Sequence, residues 1–178
     1  MIEYINKEPR TKQRKITIHK SQVLYDMDAM TYKFSEVSID GDSGDKLSTD
    51  TEDRLDGTIV SQFIESREAL LRKRLAFCLV PEEILEVDNM GSLDADYVFN
   101  FILPQSFNDG DLRPAMKFMH DYIVRGALAD WYTSLGTNYG VAFAQQAETD
   151  ENMLLDIFRV PGFVRHPGLI AQKSYKIR

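Results

Sequence analysis

Apolar residues between Leu112 and Leu135 recur in steps of three and four, at Met116, Met119, Ile123, Ala127, Trp131 and Leu135. That spacing lays them along one stripe of an α-helix. Arg113, Lys117, Asp121, Arg125 and Asp130 fall largely off the stripe. Asp109 or Asp111 is placed to cap the start, and Pro114 sits in the first turn, where a missing N–H costs nothing. Gly136 can take the left-handed conformation that ends helices. About 24 residues give roughly 36 Å of helix, long for a small domain. We take this stretch as a central helix along which others pack, with Met116, Met119, Ile123, Ala127, Trp131 and Leu135 as its core. Tyr122 and Tyr132 lie on its flank, where a second helix or a partner chain can sit.

The same reading extends to both ends of the chain. Residues 1–15 are polar and basic, carry Pro9 and show no period, so they read as an N-terminal arm. Ile16 and Ile18 alternate and, after a break, so do Val23 and Tyr25; Tyr32 and Phe34 alternate, followed by Val37 and Ile39, which predicts short strands over 16–25 and 30–39 joined as a hairpin. Residues 40–50, rich in Gly, Asp and Ser, read as a loop. A helix follows from Asp50 or Thr51 to about Phe77. Leu55, Ile59, Phe63, Leu70, Leu71 and Leu75 mark its buried side, with Val60, Ile64 and Cys78 widening it. Arg67, Arg72, Lys73 and Arg74 favour its C-terminal pole. Pro81 opens a short helix, residues 88–96 are loop, and Tyr97–Leu103 is a strand ended by Pro104. A last helix runs from about Val141 to Phe158, with Phe143, Ala147, Leu154 and Ile157 on one face and Thr149-Asp150-Glu151 polar enough to interrupt it. The Pro-Gly steps after Arg159 make residues 159–178 an extended C-terminal arm.

These elements define an α+β fold, predominantly α. It is a helical bundle around a long central helix, with a small β-hairpin or β-segment and two extended arms. Residues 16–158 form one domain between arms at 1–15 and 159–178. There is no repeat and no heptad array.

Charge sharpens that division. The net charge is −7. Residues 1–20 hold six Lys/Arg against Glu3 and Glu8, and residues 159–178 hold five Lys/Arg and no acid. The intervening body therefore carries −16. Basic arms beside an acidic body read as two solvated tails or, more sharply, as arms that each lie on the acidic body of a neighbouring copy. They also fit nucleic acid, although the acidic body argues against a broad DNA-binding face. Phe163, Val164, Leu169, Ile170 and Tyr175 in the C-terminal arm need a surface on which to dock, and with Arg159 and Arg165 they are the candidate partner contacts. No apolar run is long enough to span a membrane and no secretory h-region is visible. The single cysteine, Cys78, cannot form an internal disulfide and fits a reducing compartment.

Catalytic patterns are weak. Gly41-Asp42-Ser43-Gly44 matches the tetrapeptide around a serine-protease nucleophile, but the chain lacks the two β-barrels that would supply base and orienter. Asp40, Asp42 and Asp45 do not fit an EF-hand loop, because Gly44 and Asp45 fall where that loop needs an oxygen ligand and a glycine. His19, His120 and His166 lack zinc-ligand spacing, and His120 reads as a packed histidine. Glu82, Glu83 and Glu86 read as helix-start acids, and Cys78 as a small buried hydrophobe. No phosphate loop or dinucleotide fingerprint is present. We expect no enzyme activity, no cofactor and no metal.

Four phrases carry a family resemblance. They are ITIHKSQVLYDMDAMTYKFSE at 16–36, YVFNFILPQSFN at 97–108, LRPAMKFMHDYIVRGALADWY at 112–132 and RVPGFVRHPG at 159–168. Together they cover about half the chain. They resemble the head–tail connector (neck ring) proteins of tailed bacteriophages, in the form found in crAss-like phages and related Bacteroides elements. The third phrase looks like that family's M-H-x-Y-I-V-x-x-A-L-x-x-W helix. The longer, Pro-rich C-terminal arm departs from the pattern. The resemblance implies a virion protein, assembled in the host cytoplasm, that forms a ring of commonly twelve copies between portal and tail. Its partners would be its own copies, the portal and further neck or tail proteins. Genomic DNA would pass through the lumen without sequence-specific binding, and no membrane is involved. The alternatives are a nucleic-acid-binding or regulatory protein using the basic tails, and an enzyme of unrecognised type.

Overall fold

The computed structural model describes residues 11–37, 54–80 and 96–159. In chain order these form β1 (Thr11–Ile18), α1 (Lys20–Val37), α2 (Arg54–Leu75) and β2 (Tyr97–Pro104). A 3-10 turn at Asp109–Asp111 leads into α3 (Leu112–Ser134) and α4 (Tyr139–Phe158). The fold is α+β and predominantly helical.

β1 pairs antiparallel with β2, from Thr11 opposite Pro104 to Ile18 opposite Tyr97. On its other side β2 takes a short bridge from the end of α2. The Val80 N–H donates to the Asn100 carbonyl at 2.8 Å, and the Ile102 N–H donates to the Cys78 carbonyl at 2.8 Å. Alternation turns Ile16, Ile18, Phe99, Phe101 and Leu103 into the core and leaves Gln13, Lys15 and Asn100 exposed.

The expected hairpin over 16–25 and 30–39 does not form. Strand β1 covers 11–18, its partner lies some eighty residues away, and 20–37 is one helix. The buried residues of α1 are Lys20, Val23, Met27 and Thr31, at steps of three and four, whereas Tyr25 and Tyr32 point outward. Tyr25 and Tyr32, read as strand positions, therefore mark the exposed side of a helix. Residues 11–15, read as part of the arm, are strand. At the start of α1, Asp96 holds the backbone N–H of Lys20 (3.3 Å) and the imidazole Nδ1 of His19 (2.8 Å). The Lys20 ammonium is buried and meets Glu65 at 3.2 Å.

Helix α2 appears where its period predicts, but turned about its axis. Val60, Ile64, Leu71, Leu75 and Cys78 are fully buried, while Ile59 and Leu70 are about 40% exposed. The residues read as widening the stripe are its centre. Cys78 is buried as expected, its Sγ donating to the Leu75 carbonyl at 3.2 Å, and burial pushes its thiol up to about 12.

Helix α3 packs against α1, α2, α4 and β1. Met119, Ile123, Ala127 and Trp131 are buried, and so are Ala115, Tyr122, Val124, Gly126, Leu128, Ala129 and Tyr132. Met116 and Leu135 depart from the expected core, being 44% and 43% exposed. Ala115 and Met119 occupy the inward positions of the first turns, and Leu135 is already the C-cap, past the last helical residue. Gly136 ends the helix as predicted, at φ +69°. Its N–H donates to the Thr133 carbonyl (3.0 Å) and the next N–H, of Thr137, to Tyr132 (3.1 Å), closing a Schellman motif. The cap at the other end differs from expectation. Asp111 does sit at the N-cap position of α3 but its side chain makes no capping bond, and it is Asn108, capping the 3-10 turn before it, that accepts a backbone N–H, that of Gly110 at 3.1 Å.

Helix α4 runs unbroken through Thr149-Asp150-Glu151. It lies close on α3 because Gly140 carries no side chain: a Cβ there would come within 2.8 Å of the Ala129 carbonyl oxygen. Tyr132 stacks on Phe143 with ring centroids 5.6 Å apart. At the far end Phe158 stacks on Phe101 (5.0 Å) and Phe107 (5.9 Å), joining the last turn of α4 to the sheet. Among the described residues no helix is long and apolar enough to cross a membrane.

Candidate assembly surface

Most charges on the inner sides of the helices are matched within the chain. The Arg67 guanidinium forms a two-pronged pair with Asp130, Nε to Oδ2 at 2.6 Å and Nη2 to Oδ1 at 2.5 Å, tying α2 to α3. Gly126 makes room for it, since a Cβ there would lie 2.8 Å from Arg67 Cδ. The hydrogen bond to Asp130 pushes the Arg67 guanidinium above its ordinary value. Arg125 on α3 reaches Asp150 on α4 at 2.6 Å, and Arg74 on α2 reaches Glu151 at 2.8 Å. Burial raises the Asp150 carboxyl, with Arg125 acting against that rise. The polar triplet expected to break α4 is thus the point at which α4 is tied to α2 and α3. Asp150 falls on the same three- and four-residue steps as Phe143, Ala147 and Leu154, and an acid on a buried stripe needs a partner. Arg72 pairs with Glu68, donates to the Val98 carbonyl at 2.8 Å and lies over the Phe99 ring at 4.6 Å.

The cations of β1 are also matched locally. Lys12 Nζ lies 2.8 Å from Asp109 Oδ1 and donates to the Phe107 carbonyl at 2.5 Å. Arg14 Nη2 lies 2.6 Å from Asp109 Oδ2. The hydrogen bond from Arg14, then that from Lys12, holds the Asp109 carboxyl well down, at about 2. Of the four cations at positions 11–20, only Lys15 has no ion pair among the described residues. Three of the four cations at positions 11–20 are therefore matched within the described fold.

His120 is packed as expected. Its Nε2 lies 3.3 Å from Asp26 Oδ2 and its Nδ1 3.5 Å from Asp121 Oδ1. Among the described residues no group of three His, Cys, Asp or Glu side chains could hold a metal ion. An open depression of about 400 Å³ on the sheet is lined by Gln13, Arg14, Lys15, Val80 and Asn100, which offer no nucleophile–base pair.

Of the arm residues singled out, Arg159 is the exposed C-cap of α4, its N–H donating to the Leu155 carbonyl at 2.9 Å. Phe163, Val164, Arg165, Leu169, Ile170 and Tyr175 lie outside the described residues. So do Asp40, Asp42, Asp45, the 41–44 tetrapeptide, Glu82, Glu83, Glu86 and His166. The two ends of the described fold meet at one corner. Lys12 beside the start of β1 bonds to Phe107, and Phe107 stacks on Phe158, next to Arg159.

One face stands apart from this pattern of matched charge. Val141, Gln145, Glu148, Asn152 and Asp156 recur along α4 at steps of three and four, all exposed, with Met153 beside them. Glu148 and Asp156 have no ion pair or hydrogen bond among the described residues. Comparison with family models, curated proteins and solved structures finds no match for the chain.

Proposed function

We propose that this chain is a virion structural protein that assembles with its own copies into a ring in a phage neck, between portal and tail, extending the DNA channel. The proposal rests on the resemblance of four phrases, at 16–36, 97–108, 112–132 and 159–168, to neck-ring proteins. The observation that supports it on physical grounds is the segregation of charge. A body of −16 is followed by a segment with five cations and no acid. A ring needs one face of a subunit to meet a different face of the next, and opposite charge supplies that difference. An acidic lumen lets DNA slide, because Lys/Arg contacts to phosphate are what grip it.

Native mass spectrometry and light scattering of the purified chain, alone and with a portal-type partner, test this reading. Closed oligomers that vanish on deletion of 159–178, with helical circular dichroism retained, are the expected result. A strict monomer that binds duplex DNA with a steep salt slope would replace it with the nucleic-acid reading.

A further inference from the structure

We propose that the outward face of α4 is the seat for the C-terminal segment, residues 160–178, of a neighbouring copy. This inference rests on the assembly reading above and adds to it the surface on which one subunit receives the next.

The face earns this role by contrast with the rest of the described fold. Acids elsewhere are engaged: Glu65 with Lys20, Asp109 with Lys12 and Arg14, Asp130 with Arg67, Asp150 with Arg125 and Glu151 with Arg74. Glu148 and Asp156 are not, and they sit two turns apart on one exposed stripe. Between and beside them the face offers apolar area, with Val141 60% and Met153 48% exposed. A matching occupant must be basic and apolar at once. Residues 160–178 carry Arg165, Lys173, Lys176 and Arg178 with no acid, interleaved with Phe163, Leu169 and Ile170. Reach is sufficient. Nineteen residues span at most roughly 60 Å when extended, against about 30 Å for α4. The strand-like edge of β1 is a poorer seat, because Lys15 would face the same positive charge.

The test uses the full chain, in which buried Cys78 is a silent thiol. Two differently tagged versions are mixed, one with Asn152→Cys on the face and one with Ala171→Cys in the tail, and treated with a short bifunctional maleimide. A cross-link between the two tags is expected. Glu148→Lys with Asp156→Lys should abolish it and weaken self-association about tenfold or more, and adding Arg165→Glu with Lys173→Glu should restore both. A chain carrying both cysteines that links only to itself would overturn the proposal, since the tail would then lie on its own α4. Oligomers that form with no link, and with no loss on charge reversal, would overturn it while leaving the assembly reading intact. A monomer at every concentration would remove both.

Discussion

Helices α3 and α4 form one hairpin yet are built to opposite standards. Helix α3 is enclosed by α1, α2, α4 and β1, and both acids of its middle turns, Asp121 and Asp130, face arginines. Helix α4 is committed on one side only. Its inward positions, from Gly140 to Phe158, are packed as tightly as those of α3, while its outward stripe keeps two carboxylates and two large apolar side chains in water. Internal ion pairs tie α2, α3 and α4 together, and among the described residues Glu148 and Asp156 take no part in them.

Substitutions along the two helices should therefore separate sharply. The largest effect belongs to Trp131→Ala. The indole is buried, and its removal should cost about 3–5 kcal/mol in denaturant unfolding. A loss under about 1 kcal/mol would contradict that burial. Gly140→Ala comes next, at about 1–3 kcal/mol, because the new methyl meets a backbone carbonyl that cannot rotate away. Arg67→Ala should cost about 1–2 kcal/mol. That is less than for a sealed pair, since a third of Asp130 is wetted and screened. A double-mutant cycle with Asp130→Ala isolates the coupling.

Acid titration gives a smaller, signed effect. The Asp109 carboxyl is lowered from 3.8 to about 2 in the folded chain, so its contribution is complete above pH ~4 and fades as pH falls toward about 2. Asp109→Asn should flatten that part of the stability curve. Asp150 acts in the opposite sense: its carboxyl is raised by burial, so its titration favours the folded state at low pH and that gain fades as pH rises through its folded value. The smallest effect is reserved for the outward stripe of α4. Glu148→Gln and Asp156→Asn should each change monomer stability by no more than about 0.5 kcal/mol. A loss above about 1 kcal/mol would mean that this face is already occupied within the chain.

What could be read before the fold was seen follows from the range of the forces involved. Helices α2, α3 and α4 and strand β2 were legible because burial on one side imposes a period on neighbouring residues. Gly136 was legible because its conformation is local. The β1–α1 segment was not, because Ile16 and Ile18 begin an alternation that Val23 and Tyr25 take up after a break, while the deciding contacts, Phe99 on Ile16 and Glu65 on Lys20, come from far along the chain. The orientation of α2 was lost for a similar reason. Arg67 and Glu68 sit between buried apolar residues on its packed side, so a stripe drawn through apolar residues alone was drawn askew. The unmatched acids of α4 could not be singled out at all, since every carboxylate looks alike until its partners are placed.

The stacking of Phe158 between Phe101 and Phe107 has a mechanical consequence. Among the described residues only Arg159 follows that aromatic wedge, so a pull on the chain beyond α4 would be carried to the junction of sheet and hairpin. A subunit held by its tail would bear load where Phe158 meets Phe101 and Phe107.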